Sequence, residues 1–151
     1  MNNKKGQAAL EFLMTYGWAI LVVLIAIGAL AYFGVLNPKG ILPKSCILAP
    51  GFNCDDFIVK SDGTGTFIIR NGIGKDLGNF TLTIESLAGT CTGVGWNGTT
   101  WKSGKQLSCA FSGLTTGTEG NSYSEDLVLQ YSEVGVAITH KETGKVATKY
   151  E

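Results

Sequence analysis

The sequence predicts an α+β protein: a long hydrophobic N-terminal helix followed by an all-β head built as an antiparallel sandwich. Two observations carry this. Residues Phe12 to Leu36 are an uncharged apolar run of 25 residues. After Ser45 the apolar period changes from helical to two, and glycine-bearing turns punctuate it. The chain has 151 residues, 21 glycines and only three prolines. With 44% hydrophobic residues this is turn-rich β composition, not disorder. The stretch beyond residue 36 is long enough for one compact core. Twelve basic and 12 acidic side chains cancel, which leaves no broad electrostatic case for a nucleic-acid partner.

The helix is argued first. About 20 apolar residues cross a bilayer, and Phe12 to Leu36 exceeds that at roughly 37 Å. Leu, Ile, Val and Ala lie on every face, so no water-facing stripe exists. Lys4 and Lys5 just before it place the N-terminus in the cytoplasm and the rest outside. Asn37-Pro38 is the expected stop, because proline cannot continue the ladder. Three fates are open to such a segment. It is a secretory signal peptide if Ala29-Leu30-Ala31 is a cleavage site. It is a plain single-span anchor if Glu11 is an incidental interfacial acid favoured by the helix dipole. The third fate uses every odd feature together.

Lys4-Lys5-Gly6 followed by Gln7, with Glu11 the fifth residue counted from Gln7, resembles the class III signal peptide of archaeal type IV pilins. Ala8-Ala9-Leu10 and the aromatic Phe12 fit the same pattern. The resemblance implies that a membrane prepilin peptidase cuts Gly6–Gln7 on the cytoplasmic side. The apolar segment then stays with the mature protein. Gly6 lets an extended backbone approach the peptidase closely. The cut gives Gln7 an α-amino group, one helical turn from Glu11. Glu11 can pair with that amine in its own helix, or with a neighbour's in a bundle, where it sets register. Small residues such as Ala8, Gly17, Gly28 and Gly34 permit close helix approach. Removing Met1–Gly6 takes two lysines, which leaves a mildly acidic mature chain.

The head comes after a connector at 37–45 that contains Pro38, Gly40 and Pro43. Candidate strands are Phe57–Lys60, Thr66–Arg70, Phe80–Glu85, Leu107–Phe111, Glu125–Tyr131, Val134–His140 and Val146–Tyr150. Turns are expected at Asp62-Gly63, Asn71-Gly72, Asn97-Gly98 and Thr143-Gly144. The last two strands read as a hairpin turning over Lys141 to Lys145. Strands this short with regular turns predict an antiparallel sandwich. Cys46 through Phe57 and Asn71-Gly72-Ile73-Gly74 also look similar to archaeal pilin heads. That resemblance implies an immunoglobulin-like head. The domains are then a leader at 1–6, a membrane and filament-core helix at 7–36, the connector, and a head at 46–151.

All four cysteines lie after the apolar run, which suggests two disulfides in an oxidising space. Of three pairings, Cys46–Cys54 and Cys91–Cys109 are favoured because both close local loops. No Cys-x-x-Cys exists and His140 is the lone histidine, so zinc is disfavoured and no metal or cofactor is expected. Asn79-Phe80-Thr81 and Asn97-Gly98-Thr99 are glycosylation sequons. Trp96 and Trp101 are either a surface-binding platform or packing over the Cys91–Cys109 loop. Asp55-Asp56 and Glu125-Asp126 read as solvated strand ends or turns, not acid–base pairs. No nucleophile motif surrounds His140, and no enzyme is expected.

The expected function is structural. The chain would be a subunit of an archaeal type IV pilus-like filament, a helical homopolymer serving adhesion or cell contact. Its precursor would sit in the cell membrane, and its mature form on the extracellular surface. The resemblance implies an assembly ATPase and a membrane platform protein as partners. The alternative is a non-polymerising, membrane-anchored extracellular binding protein that uses the same head.

Overall fold

The computed structural model describes residues 3–34 and 43–151. The chain forms two compact units, Met1–Ile41 and Leu42–Glu151. Among the described residues the first contains one helix, α1 (Asn3–Tyr32). It starts before the expected residue 7 and ends before the expected residue 36. Its end is a glycine device, not a proline one. Gly34 adopts φ 70, its N–H donates to Ala31 O at 3.1 Å, and Phe33 N–H donates to Ala29 O at 2.9 Å. Glycine takes this left-handed position without a Cβ penalty. Leu36, Asn37-Pro38 and the connector as far as residue 42 lie outside the described residues, as do Met1 and Asn2.

The second unit is all β. One six-stranded antiparallel sheet contains β1 (Ser45–Ile47), β4 (Leu77–Ile84), β5 (Leu87–Ala88), β7 (Thr100–Trp101), β9 (Ser122–Glu133) and β10 (Thr139–Lys149). Its order is β1-β10-β9-β4-β5, with β7 also paired to β4. The other sheet has four strands, β2 (Phe52–Val59), β3 (Thr64–Asn71), β8 (Gln106–Ser112) and β6 (Thr90–Thr92), in the order β2-β3-β8-β6. The expected antiparallel two-sheet architecture is therefore what forms. The strand boundaries differ from expectation. Ser45, expected in the connector, opens β1, and β2 starts at Phe52 instead of Phe57.

The terminal hairpin is also placed differently. Val134–Ile138 is a loop, and β10 runs unbroken through Lys141–Lys145, where a turn was expected. Val134, Val136 and Ile138 have β-forming side chains but remain exposed. Gly144, expected in a turn, sits inside β10 because a Cβ there would strike the carbonyl of Ile47 in β1. Glycine within a strand marks such a close backbone approach.

Both sheets turn one face into a shared core. In β3, Gly65, Phe67, Ile69 and Asn71 are buried and alternate with half-buried positions. Two β-bulges keep this alternation in phase elsewhere. Between Cys54 and Asp56 the register of β2 shifts, so Phe52 and Phe57 both face inward. Between Gly78 and Thr81 the register of β4 shifts, so Leu77 and Phe80 both face inward. Asn79 absorbs that second bulge at φ 50. Aromatic rings fill the interior. Phe57 stacks on Phe67 at 5.8 Å, and Trp101 lies between Phe80 at 4.5 Å and Phe52 at 5.9 Å. Burying each ring is worth about 3 kcal/mol.

Disulfides Cys46–Cys54 and Cys91–Cys109 are both present. The first ties β1 of one sheet to β2 of the other. The second joins directly paired residues of β6 and β8. Beside the first, Ala49-Pro50-Gly51-Phe52 makes a tight turn, with Phe52 N–H on Ala49 O at 3.1 Å and Gly51 at φ 96. Proline then glycine at the two central positions suits that geometry.

Candidate functional site

The surface with the clearest chemistry is α1. The six consecutive side chains from Ile20 to Ile25 are each 53–63% exposed, and six residues go more than once round a helix. Every face of this stretch is apolar and open. The segment Gly6–Tyr32 is long and apolar enough to cross a membrane. A Cβ added at Gly6, Gly17 or Gly28 would meet nothing within 4 Å. Each glycine inside a helix costs about 1 kcal/mol relative to alanine. Among the described residues no contact accounts for Gly17 and Gly28, whereas close approach of a second helix would.

The expected processing residues Lys4, Lys5, Gly6 and Gln7 all lie on the backbone of α1. Glu11 is exposed one turn beyond Gln7, and its carbonyl accepts a bond from Thr15 Oγ1 at 2.8 Å. The helix thus places one carboxylate near its N-terminal end, then no further charge through Phe33.

The head gathers its polar groups into three clusters that hold strands together. On the outer face of the smaller sheet, Asp55 accepts bonds from Gln106 and from Arg70, whose Nε lies at 3.0 Å. The Gln106 bond, with help from Arg70, holds this carboxyl below its ordinary value. Asp55 and Asp56 lie at the bulge within β2, and Glu125 and Asp126 lie within β9. None of the four is at the strand end or turn expected for it.

At the end of β3, buried Asn71 donates through Nδ2 to Lys75 O at 2.9 Å and Trp101 O at 3.3 Å, and its Oδ1 accepts from Ile73 N–H at 3.1 Å. Asn71, expected in a turn, is the last residue of β3 and acts as a buried hub for two loops. Among the described residues no buried side-chain polar atom lacks a partner.

The third cluster had no signal in the sequence. Glu85 and Ser86 form the two-residue β4–β5 turn at φ 52 and 68. Such turns favour Asn-Gly, so this one was unreadable. Glu85 Oε2 accepts from Thr115 N and Oγ1 at 2.9 and 2.8 Å, and Oε1 accepts from Tyr123 Oη at 2.9 Å. Desolvation works to raise this carboxyl, but the bonds from Thr115 and Tyr123 prevail and hold it below its ordinary value. Burial, then the Glu85 carboxylate, pushes the Tyr123 hydroxyl upward. Tyr150 Oη donates to Thr115 O at 2.9 Å and closes the cluster.

The expected tryptophan platform needs correction. Trp101 is fully buried, and its Nε1–H donates to Lys105 O at 3.0 Å. It sits in the aromatic core, not over the Cys91–Cys109 loop. Trp96 is half-buried and bridged to Trp101 in a short hairpin. Both sequon asparagines are exposed, and they are neighbours, because Asn79 N–H donates to Thr99 O at 3.2 Å. His140 stacks on Tyr131 at 5.2 Å. A surface depression of about 430 Å³ is lined by Ile68, Arg70, Val94, Lys105, Gln106 and Leu107 among others. Among the described residues no group of three His, Cys, Asp or Glu side chains is placed to hold a metal. No known family model matches this chain, and neither does any curated protein or solved structure.

Proposed function

We propose that this chain is the structural subunit of an archaeal type IV pilus-like surface filament. It would be inserted in the membrane, cut at Gly6–Gln7, and polymerised through α1. Immunoglobulin-like heads would face outward for adhesion or cell contact. The observation that carries this reading is the all-round exposure of an apolar helix that has one carboxylate at its start. In a bilayer lipid covers that surface. Outside a bilayer, copies of the same helix are the cover that leaves fewest apolar side chains in water, at about 25 cal/mol per Å² buried. Two further features support the reading. Gly17 and Gly28 suit close helix approach, and the disulfide-bonded head has a core of its own.

N-terminal sequencing of the mature protein, with electron microscopy of sheared surface material, tests it. The expected start is Gln7, and filaments should be present. A start at Met1 on a chain that never polymerises would establish the membrane-anchored binding protein instead. A start at Tyr32 would make the helix a signal peptide. Glu11→Gln should leave membrane insertion intact and abolish filaments. Normal filaments from that variant would remove Glu11 from assembly.

A further inference from the structure

We infer that Asn97, and not Asn79, is the N-glycosylation acceptor of the folded head. The sugar donor would be a lipid-phosphate-linked saccharide used by a membrane-bound transferase. This rests on the head lying outside the cell, as proposed above.

An amide nitrogen is a poor nucleophile because its lone pair is delocalised into the carbonyl. In the transfer, the Asn97 Nδ2 attacks the anomeric carbon of the sugar. The bond from that carbon to the phosphate oxygen breaks, the lipid phosphate leaves, and one amide proton passes to a base of the transferase. Donors on the amide oxygen favour that proton loss. Asn97 Oδ1 accepts three: Thr99 N–H at 3.0 Å, Thr99 Oγ1 at 3.1 Å and Thr100 N–H at 2.6 Å. The sequon hydroxyl is therefore already in contact with the acceptor amide. The middle residue, Gly98, sits at φ 89 with nothing within 4 Å of a Cβ position. Asn97, Gly98 and Thr99 are all exposed at the tip of the hairpin that bridges Trp96 and Trp101.

The second sequon is exposed but locked. Its middle residue, Phe80, is buried against Trp101 and Phe52. Thr81 is paired with Gln130 of β9. A transferase could grip this sequon only by drawing β4 off β9 and Phe80 out of the core. The two asparagines share a motif and a neighbourhood, so the difference between them is one of local stability.

The test is peptide mapping by mass spectrometry of the full chain from the cells that make it. Lys75 and Lys102 bracket both sequons, so cleavage after Glu85 is needed to separate them. The expected result is a glycan on the Asn97 peptide, an unmodified Asn79 peptide and four oxidised cysteines. Asn97→Gln and Thr99→Val should each abolish the mass increment, Thr99→Ser should keep it, and Thr81→Val should change nothing. Oxidised cysteines with both asparagines bare would overturn the inference and leave the extracellular reading standing. Free thiols with both asparagines bare would overturn that reading as well. A glycan on Asn79, alone or beside Asn97, would overturn the selectivity, because the sugar would then have arrived before folding.

Discussion

Asn71 gives the sharpest test of how the head is held together. Its side chain makes three hydrogen bonds from a fully buried position, and these join the end of β3 to the loops at 72–76 and 101–105. Asn71→Ala removes all three. At about 1 kcal/mol per bond the loss is ~3 kcal/mol. Water can reach the partly buried Ile73 N–H and Lys75 carbonyl and recover some of this. It cannot easily reach the Trp101 carbonyl, so about 2–3 kcal/mol should remain. For a domain of this size that corresponds to a fall in Tm of about 10 °C. Asn71→Asp should do worse at neutral pH, because it sets a carboxylate against two carbonyl oxygens. Burial and those carbonyls raise its folded pKa above the unfolded ~3.9. The variant's deficit is then widest above the folded pKa and shrinks as pH falls through it, when a proton restores one donor. The assay is urea unfolding of the head from Pro43 onward, with disulfides intact, followed by tryptophan fluorescence. A loss below about 0.5 kcal/mol for Asn71→Ala, or a pH-independent deficit for Asn71→Asp, would refute the argument.

Two further outcomes are expected. Glu85→Gln should cost about 1–2 kcal/mol at pH 7, since the carboxylate accepts three bonds. Because the folded pKa is depressed, that stabilisation is present above the unfolded ~4.3 and fades as pH falls through the folded value. Thermal melts of the two proteins from pH 7 to 3 should therefore converge; parallel curves would contradict it. Replacing Cys91 and Cys109 together by alanine should lower stability by about 3 kcal/mol, as expected for a closed loop of this length, measured by the same urea titration. An unchanged midpoint would mean that β6 stays on β8 through its backbone ladder alone.

The residues most legible in the sequence are those whose pattern follows directly from one-sided burial. Phe80, Leu82 and Ile84 alternate with Thr81 and Thr83, and they face the core as expected. The apolar run was equally plain, since no soluble fold exposes such a surface. The misleading side chains are those whose local preference differs from their tertiary setting. Val134, Val136 and Ile138 carry strand propensity with no core to bury in, so they form a loop. Gly144 looks like a turn residue because the reason for it is a neighbouring strand far away in sequence. Trp101 looks exposed among glycines and threonines, but a two-residue strand aims it inward. The bonding roles of Glu85 and Asn71 could not be read, because their partners lie up to 38 and 30 residues away.

The Cys46–Cys54 bond governs what happens when the head is pulled. Tension arriving through Pro43 and Lys44 acts first on β1, which is held to β10 by only three residue pairs. Such a strand peels easily. The covalent bridge stops the peeling at Cys46 and passes the load to Cys54 in β2. Residues 47–53 therefore stay slack under force. The strain is borne instead by the longer β2–β3 ladder, with its seven residue pairs.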